Sequence, residues 1–300
     1  AQQMAEAEFH RMAGETAAET ARALAEGEAS RNRIRLIQRQ TEYIDRAMAA
    51  LDARLSAGQG RLGESFDLQN LATGLHLEME KEQAMAEEAD RETRTVLGLA
   101  PDIPLPPFAA PEPSSIRRET VPLLILLNAR QAEAKAMADM ARASAHPMTS
   151  VGVFFEREED EMGDEDTVGV SFMTELPYNN RRAARLETKA AMAEIDGWTA
   201  EIDAAARRVE SDQLRAERLE RLAQRTRASA AESQNRLERE YETWLVSAGR
   251  SSGMDAPSIL MLLDLIERRT DLSMQAIEAE LAHRLALADL WRHTVFIKGE

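Results

Sequence analysis

From Asn180 to Ser247 the chain runs without a proline, and an apolar or small residue returns at every seventh place: Ile195, Ile202, Val209, Ala216, Ala223, Ala230, Leu237 and Trp244. A repeat sustained over so many steps marks helices packed as a coiled coil, and its alanines call for close helix approach. At about 1.5 Å per residue, a helix of this length is on the order of 100 Å long. A globular domain rarely has use for such a rod; a tube or a stalk does.

The remainder is organised to accompany that rod. Residues 1–57 read as one helix broken only by Gly14 and Gly27, with an apolar stripe at Ile34, Ile37, Tyr43–Ile44, Met48, Leu51 and Leu55. Gly58, Gly60 and Gly63 interrupt it, and a second helix is predicted from Glu64 to Leu97, apolar at Phe66, Leu68, Leu71, Leu75, Leu77 and Met79. Two long helices joined by so short a turn are antiparallel neighbours. Leu99–Ser115 carries Pro101, Pro104, Pro106, Pro107, Pro111 and Pro113, which excludes helix and predicts an extended connector. A short helical turn is predicted over Ser115–Thr120. Pro122 then suits the first position of a helix running to Pro147. After the long rod, Ala248–Pro257 holds Gly249, Gly253 and Pro257 and predicts a turn. A last helix, Ser258–Thr294, returns with Ile259, Leu262, Leu263, Ile266, Leu272, Ile277 and Leu281.

One stretch changes character. In Thr149–Glu156, Val151, Val153 and Phe155 share a face opposite Gly152, Phe154 and Glu156. In Val168–Leu176, Val168, Val170, Phe172, Thr174 and Leu176 oppose Gly169, Ser171, Met173 and Glu175. Period two with Val and Phe is the strand signal. Glu158–Asp166 between the runs is read as a charged turn in water, and Pro147 and Pro177 bracket the unit. Each strand is predicted at roughly ten residues, the length a tilted strand needs to cross a bilayer. No run approaches the roughly 20 apolar residues of a membrane helix, so a membrane span would have to be made of strands.

Composition narrows the functional classes. Aromatics are 4% and the formal charge is −16, with bases scattered among acids, which argues against nucleic acid as a partner. There is no cysteine, which excludes disulfides and thiolate metal sites and suits an oxidising compartment. The chain starts at Ala1 with no visible signal peptide, and the expectation is a removed leader or a partial chain. His10, His76, His146, His283 and His293 are scattered without metal-ligand spacing, and no P-loop or dinucleotide-binding glycine pattern occurs. Glu158–Asp166 lacks the alternation and terminal Glu of a calcium loop. Met79, Met85, Met137 and Met140 lie at helical spacings among alanines, where gap-filling is their ordinary role, against a copper relay. No catalytic constellation emerges, and no cofactor or metal is expected.

The two turns are copies. Leu55-Ser56-Ala57-Gly58 precedes the first and Val246-Ser247-Ala248-Gly249 the second. Each leads to an apolar helix start, Ser65-Phe66-Asp67-Leu68 in one and Ile259-Leu260-Met261-Leu262-Leu263-Asp264 in the other. To these add the Pro-rich connector, the helix ending in His146-Pro147, and the junction Val168-Gly169-Val170-Ser171-Phe172 to Leu176-Pro177-Tyr178-Asn179-Asn180-Arg181-Arg182. Together they resemble the TolC-like outer membrane factors of Gram-negative efflux systems. With Val151-Gly152-Val153 and Glu156-Arg157, the junction looks most like the heavy-metal branch, CzcC- and CusC-like.

The resemblance implies a mainly α fold of long antiparallel coiled-coil helices, an α-barrel, with a β-hairpin contributing to a transmembrane β-barrel. Family members carry two β-hairpins and two helix pairs; this sequence has one β-hairpin, and the amino-terminal part of the pattern is expected to be missing. The implied division is a periplasmic helical hairpin at 1–98, an equatorial connector at 99–121 and a helix leading to the membrane at 122–147. The transmembrane hairpin follows at 148–177 and a second periplasmic helical hairpin at 178–300. The implied activity is passive: an exit duct of a tripartite RND-type system, exporting heavy-metal cations or, alternatively, drugs and other solutes. Its implied partners are two further copies in a homotrimer, a periplasmic adaptor, an inner-membrane RND pump and outer-membrane lipid. By residue type and position Asp67 and Asp264 match acidic rings at the periplasmic constriction, with Met261 where another Asp often stands, and Arg61, Arg250 and Asp255 lie in the turns. Threefold symmetry would make each Asp a ring that attracts cations, although an Asp near a helix start is favoured there in any case. Val151, Val153, Phe155, Val168, Val170 and Phe172 would face lipid. A soluble coiled-coil scaffold, assembled through the hairpin, is the rival from another class.

Overall fold

The computed structural model describes residues 2–58, 62–144, 148–160, 163–175, 180–250 and 259–295. Five α-helices and one β-hairpin follow each other: α1 (Gln2–Ser56), α2 (Leu62–Leu97), α3 (Pro122–Ala143), β1 (Met148–Asp160), β2 (Gly163–Glu175), α4 (Asn180–Arg250) and α5 (Ile259–Asp289). Two short 3-10 turns, Pro113–Ser115 and Arg118–Thr120, precede α3, and a third, Leu290–His293, ends α5. Two of the helices stop at a glycine. Gly58 takes φ +73° after α1 and Gly98 φ +62° after α2. The Leu99 amide reaches back to the Arg94 carbonyl at 2.9 Å, closing a Schellman turn around Gly98.

The chain divides into two compact units, Ala1–Glu8 with Leu123–Arg207, and Phe9–Pro122 with Arg208–Glu300. In the second, side-chain pairs fix the directions of the helices. Arg31 meets Asp90 at 2.7 Å and Arg33 meets Glu82 at 3.5 Å, so α1 and α2 are antiparallel, as the short turn requires. Arg227 with Glu280, Gln234 with Ser273 and Arg269 with Glu238 make α4 and α5 antiparallel. Arg22 with Asp289 and Glu28 with Arg284 place α5 against α1 as well. Ile37, Ile44, Leu51, Leu68, Leu75, Tyr241, Trp244, Leu262 and Ile266 form one buried cluster. The apolar stripes of the sequence supply it, and the small members of the heptad, Ala216, Ala223 and Ala230, are buried as close packing demands. Phe66 and Leu77 are exceptions. Both are exposed, because α2 buries the line of Leu68, Leu75, Glu82 and Ala89, and neither residue falls on it.

The connector is fastened by side chains that donate to its carbonyls. Arg94 reaches the oxygens of Ala100 at 2.9 Å and Ile103 at 2.6 Å, Gln213 those of Pro113 and Ile116, and the Trp291 indole that of Ala109. An extended, proline-rich segment forms no ladder of its own, so its carbonyls are served from the helices. In the other unit α3 and α4 run antiparallel, with Gln131 on Thr199 at 2.8 Å and Arg142 against the Met192 sulfur at 3.9 Å, around buried Ala134, Ala138, Ala141, Ala184 and Ala191, while Arg130 lies over the Trp198 ring.

The hairpin corrects the sequence expectation in one respect. Each strand has 13 residues, and the ladder continues through Glu158↔Glu165 and Glu159↔Asp164 to Asp160↔Gly163. Most of the acidic run read as a turn is therefore strand. Backbone pairing carries no requirement for apolar side chains; the alternation of Val and Phe reports where the ribbon is apolar, not where it ends.

Candidate pore and membrane-facing surfaces

The register places the six predicted residues on one face: Val151 opposes Phe172, Val153 opposes Val170, and Phe155 opposes Val168. All six are exposed, Val153 by 76% and Phe172 by 74%. Valine and phenylalanine so arranged give a continuous apolar surface that no described residue covers. The opposite face is smaller and more polar. There Phe154 lies across Gly169, where a Cβ would overlap its ring, and the Ser171 hydroxyl donates to the Gly152 carbonyl at 3.3 Å. Gly169 thus leaves room for an aromatic neighbour across the ribbon, a role the sequence alternation does not disclose. Among the described residues no helix is long and apolar enough to cross a membrane; that statement concerns helices and leaves a strand-built span untouched.

At the other candidate surface, Leu68 of α2 and Leu262 of α5 are both fully buried in the same cluster. The two helix starts therefore converge, bringing with them Asp67, next to Leu68, and Asp264, two residues beyond Leu262. Both carboxylates are on exposed residues, but they differ in partners. Asp264 is held by Arg268, one turn on, with Oδ2 2.9 Å from Nη2 and Oδ1 3.0 Å from Nε. Asp67 has no ion-pair partner among the described residues. Arg268 was not singled out from the sequence, although its i,i+4 spacing from Asp264 is the signal. Met261 is exposed and lines, with Trp244, Thr243 and Ser247, a concavity of about 440 Å³. Arg250 is the last residue of α4. Arg61 and Asp255 lie outside the described residues.

Between α1, α4 and α5 sits a polar cluster. Tyr43 donates to Glu238 at 2.8 Å and carries the Arg269 guanidinium over its ring at 4.3 Å, while the Tyr241 hydroxyl donates to the Tyr43 carbonyl at 2.9 Å. Burial, ahead of the surrounding charges, pushes the Tyr241 phenol up to about 12 and raises Tyr43 as well. His293, buried, contacts Asp212 at 3.0 Å, and His76 pairs with Glu80 at 3.4 Å; His146 lies outside the described residues. Among the described residues no three His, Asp or Glu side chains converge as a metal site would require.

By sequence the chain matches no protein-family model and no curated protein. By structure it is similar to the outer membrane protein VceC of Vibrio cholerae, with TM-score 0.71 and 15% identity over 98% of this chain and 74% of that one. The outer-membrane channel OprN gives 0.66 and 18% over 98% and 68%. The transmembrane channel protein CusC gives 0.65 and 13% over 97% and 72%. At these identities the likeness is one of fold. The fold is the TolC-like one expected from the turns and the junction, and the chain spans roughly 70% of the length of the solved structures.

Proposed function

We propose that this chain is a protomer of an outer-membrane exit duct, a passive channel rather than an enzyme. One observation carries the reading: a ribbon of TolC-like architecture presents six uncovered Val and Phe side chains on a single face. In water such a surface is a liability. In a bilayer it is the outer wall of a β-barrel, whose closure with other strands satisfies the ribbon's edges. In this reading 148–177 lies in the outer membrane, 122–147 leads to it, and 99–121 is the equatorial connector. Segments 1–98 and 178–300 are periplasmic helical hairpins, completed as a tunnel by two further copies. The starts of α2 and α5 face a periplasmic adaptor that couples the duct to an inner-membrane RND pump. A heavy-metal cation is the proposed cargo, supported by the sequence likeness of the strand-to-helix junction to the CzcC/CusC branch and by an aspartate near the start of each of the two helices, Asp67 and Asp264. Drug or solute export is the alternative within the same architecture.

The test is physical. The full chain, expressed in a Gram-negative host, is expected in the outer-membrane fraction, extractable by detergent as a cross-linkable trimer with stepwise conductance in planar bilayers. Recovery as a soluble monomer without conductance would favour the scaffold and end the duct reading.

A further inference from the structure

Helices α1, α4 and α5 line an open concavity of about 290 Å³, at the small end of the range for ligand sites. Leu36, Ala230 and Ile277 give it apolar walls, and Arg35, Arg39 and Arg227 are exposed along it. Arg227 is paired with Glu280, which also receives Arg284, itself bound to Glu28; these four groups balance. Arg35 and Arg39 do not. Arg35 donates to the Asn32 side chain at 2.7 Å, and neither arginine meets a carboxylate among the described residues. Elsewhere on α1, Arg22, Arg31, Arg33 and Arg46 each have one. Two guanidiniums four residues apart on a helix repel, and here they do so in a chain whose net charge is −16.

A further unpartnered polar group lies beside this space. A smaller enclosed space of about 30 Å³ shares Leu36, Arg39, Gln234 and Ser273 with the first. Gln40 lines it, 6% exposed, with Oε1 buried and without a partner. A glutamine amide can present either end, so donor or acceptor is available at that wall.

We propose that the cavity binds a small oxyanion carrying an apolar group, an alkyl phosphate or alkyl carboxylate. Arg35 and Arg39 supply charge-assisted hydrogen bonds in the fork geometry that suits such oxygens. Leu36, Ala230 and Ile277 take the hydrocarbon.

The test is calorimetric titration of the detergent-solubilised full chain at low, fixed ionic strength, with chloride as the balancing salt. The probes are inorganic phosphate, butyl phosphate and butyrate; the last two separate the phosphate from the carboxylate source. Butyl phosphate or butyrate is expected to bind at least about tenfold more tightly than inorganic phosphate, because burying each methylene adds about 0.8 kcal/mol. Arg39→Gln is expected to weaken binding at least about tenfold, and Arg35→Gln to weaken it too, with the unliganded unfolding temperature unchanged or raised as the repulsion is relieved. Ala231→Glu, on the exposed wall, supplies a carboxylate from within and is expected to abolish binding while raising stability. The proposal is overturned by absent binding, or by binding indifferent to all three substitutions. It is also overturned if Arg39→Gln dissociates the oligomer in the absence of probe, since a neighbouring copy's carboxylate would then be the occupant.

Discussion

Gly14 is where α1 passes the 3-10 turn that ends α5. A Cβ there would lie 2.7 Å from the Trp291 carbonyl oxygen and 3.2 Å from the Arg292 Cα, and backbone cannot swing aside. At Gly27 the nearest atoms are side chains, the Ala89 Cβ at 3.2 Å and an Asp90 oxygen at 3.4 Å. Gly14→Ala is therefore expected to destabilise the fold by about 1–3 kcal/mol, as overpacking does, and Gly27→Ala by less; thermal unfolding of the two variants decides it. In the sequence both glycines stand out as interruptions of a good helix, yet nothing local says which is indispensable, because the atoms that forbid a side chain come from the far end of the chain. Tyr241 makes a second prediction. Its phenol titrates near 10 when unfolded and at about 12 in the fold, so the folded state holds the proton more tightly. That contribution to stability is complete below pH 10 and disappears as pH rises from 10 to about 12. Between those values the unfolding temperature of the native chain should fall more steeply than that of Tyr241→Phe. Equal slopes would mean that the phenol is not buried as described.

At the scale of elements, the helices were legible because proline and glycine mark their ends and period 3.6 marks their faces. The hairpin was legible as to face but not extent. Val151, Val153 and Phe155 announce an apolar side; nothing in Arg157–Asp166 announces a ladder, since backbone pairing carries no compositional signature there. Nor does the alternation disclose Phe154 lying over Gly169, which depends on the cross-strand register. The two faces give opposite predictions. If the Val153–Val170 pair sits in hydrocarbon, Val170→Lys costs about 2–4 kcal/mol near the bilayer midplane. The lysine variant should then be depleted from the outer membrane and accumulate as unassembled chain. Ser171→Lys, one residue along on the other face, should assemble as the native protein does. Quantifying both in fractionated membranes separates a lipid wall from a merely exposed ribbon, for which the two lysines would be equally harmless.

For the molecule as a whole, the question is whether the converging starts of α2 and α5 form a charged constriction. Asp67 and Asp264 could be picked from the sequence through the family resemblance, by residue type and position at the two helix starts; that they are electrostatically unequal could not be read from that resemblance. Asp264 shares its two oxygens with Arg268 at 2.9 and 3.0 Å, so the pair presents little net charge to a passing ion, whereas Asp67 has no ion-pair partner among the described residues. In a threefold assembly the difference is multiplied by three around one axis. Reversal potentials across a salt gradient should therefore show a cation-preferring native channel whose preference falls clearly in Asp67→Asn and only slightly in Asp264→Asn. Arg268→Gln supplies the converse: by releasing three carboxylates it should raise cation preference above native, and combining it with Asp264→Asn should return the channel to near the native value. A native channel without ionic preference, unmoved by any of these changes, would place both aspartates outside the permeation path and leave them as residues suited to helix starts.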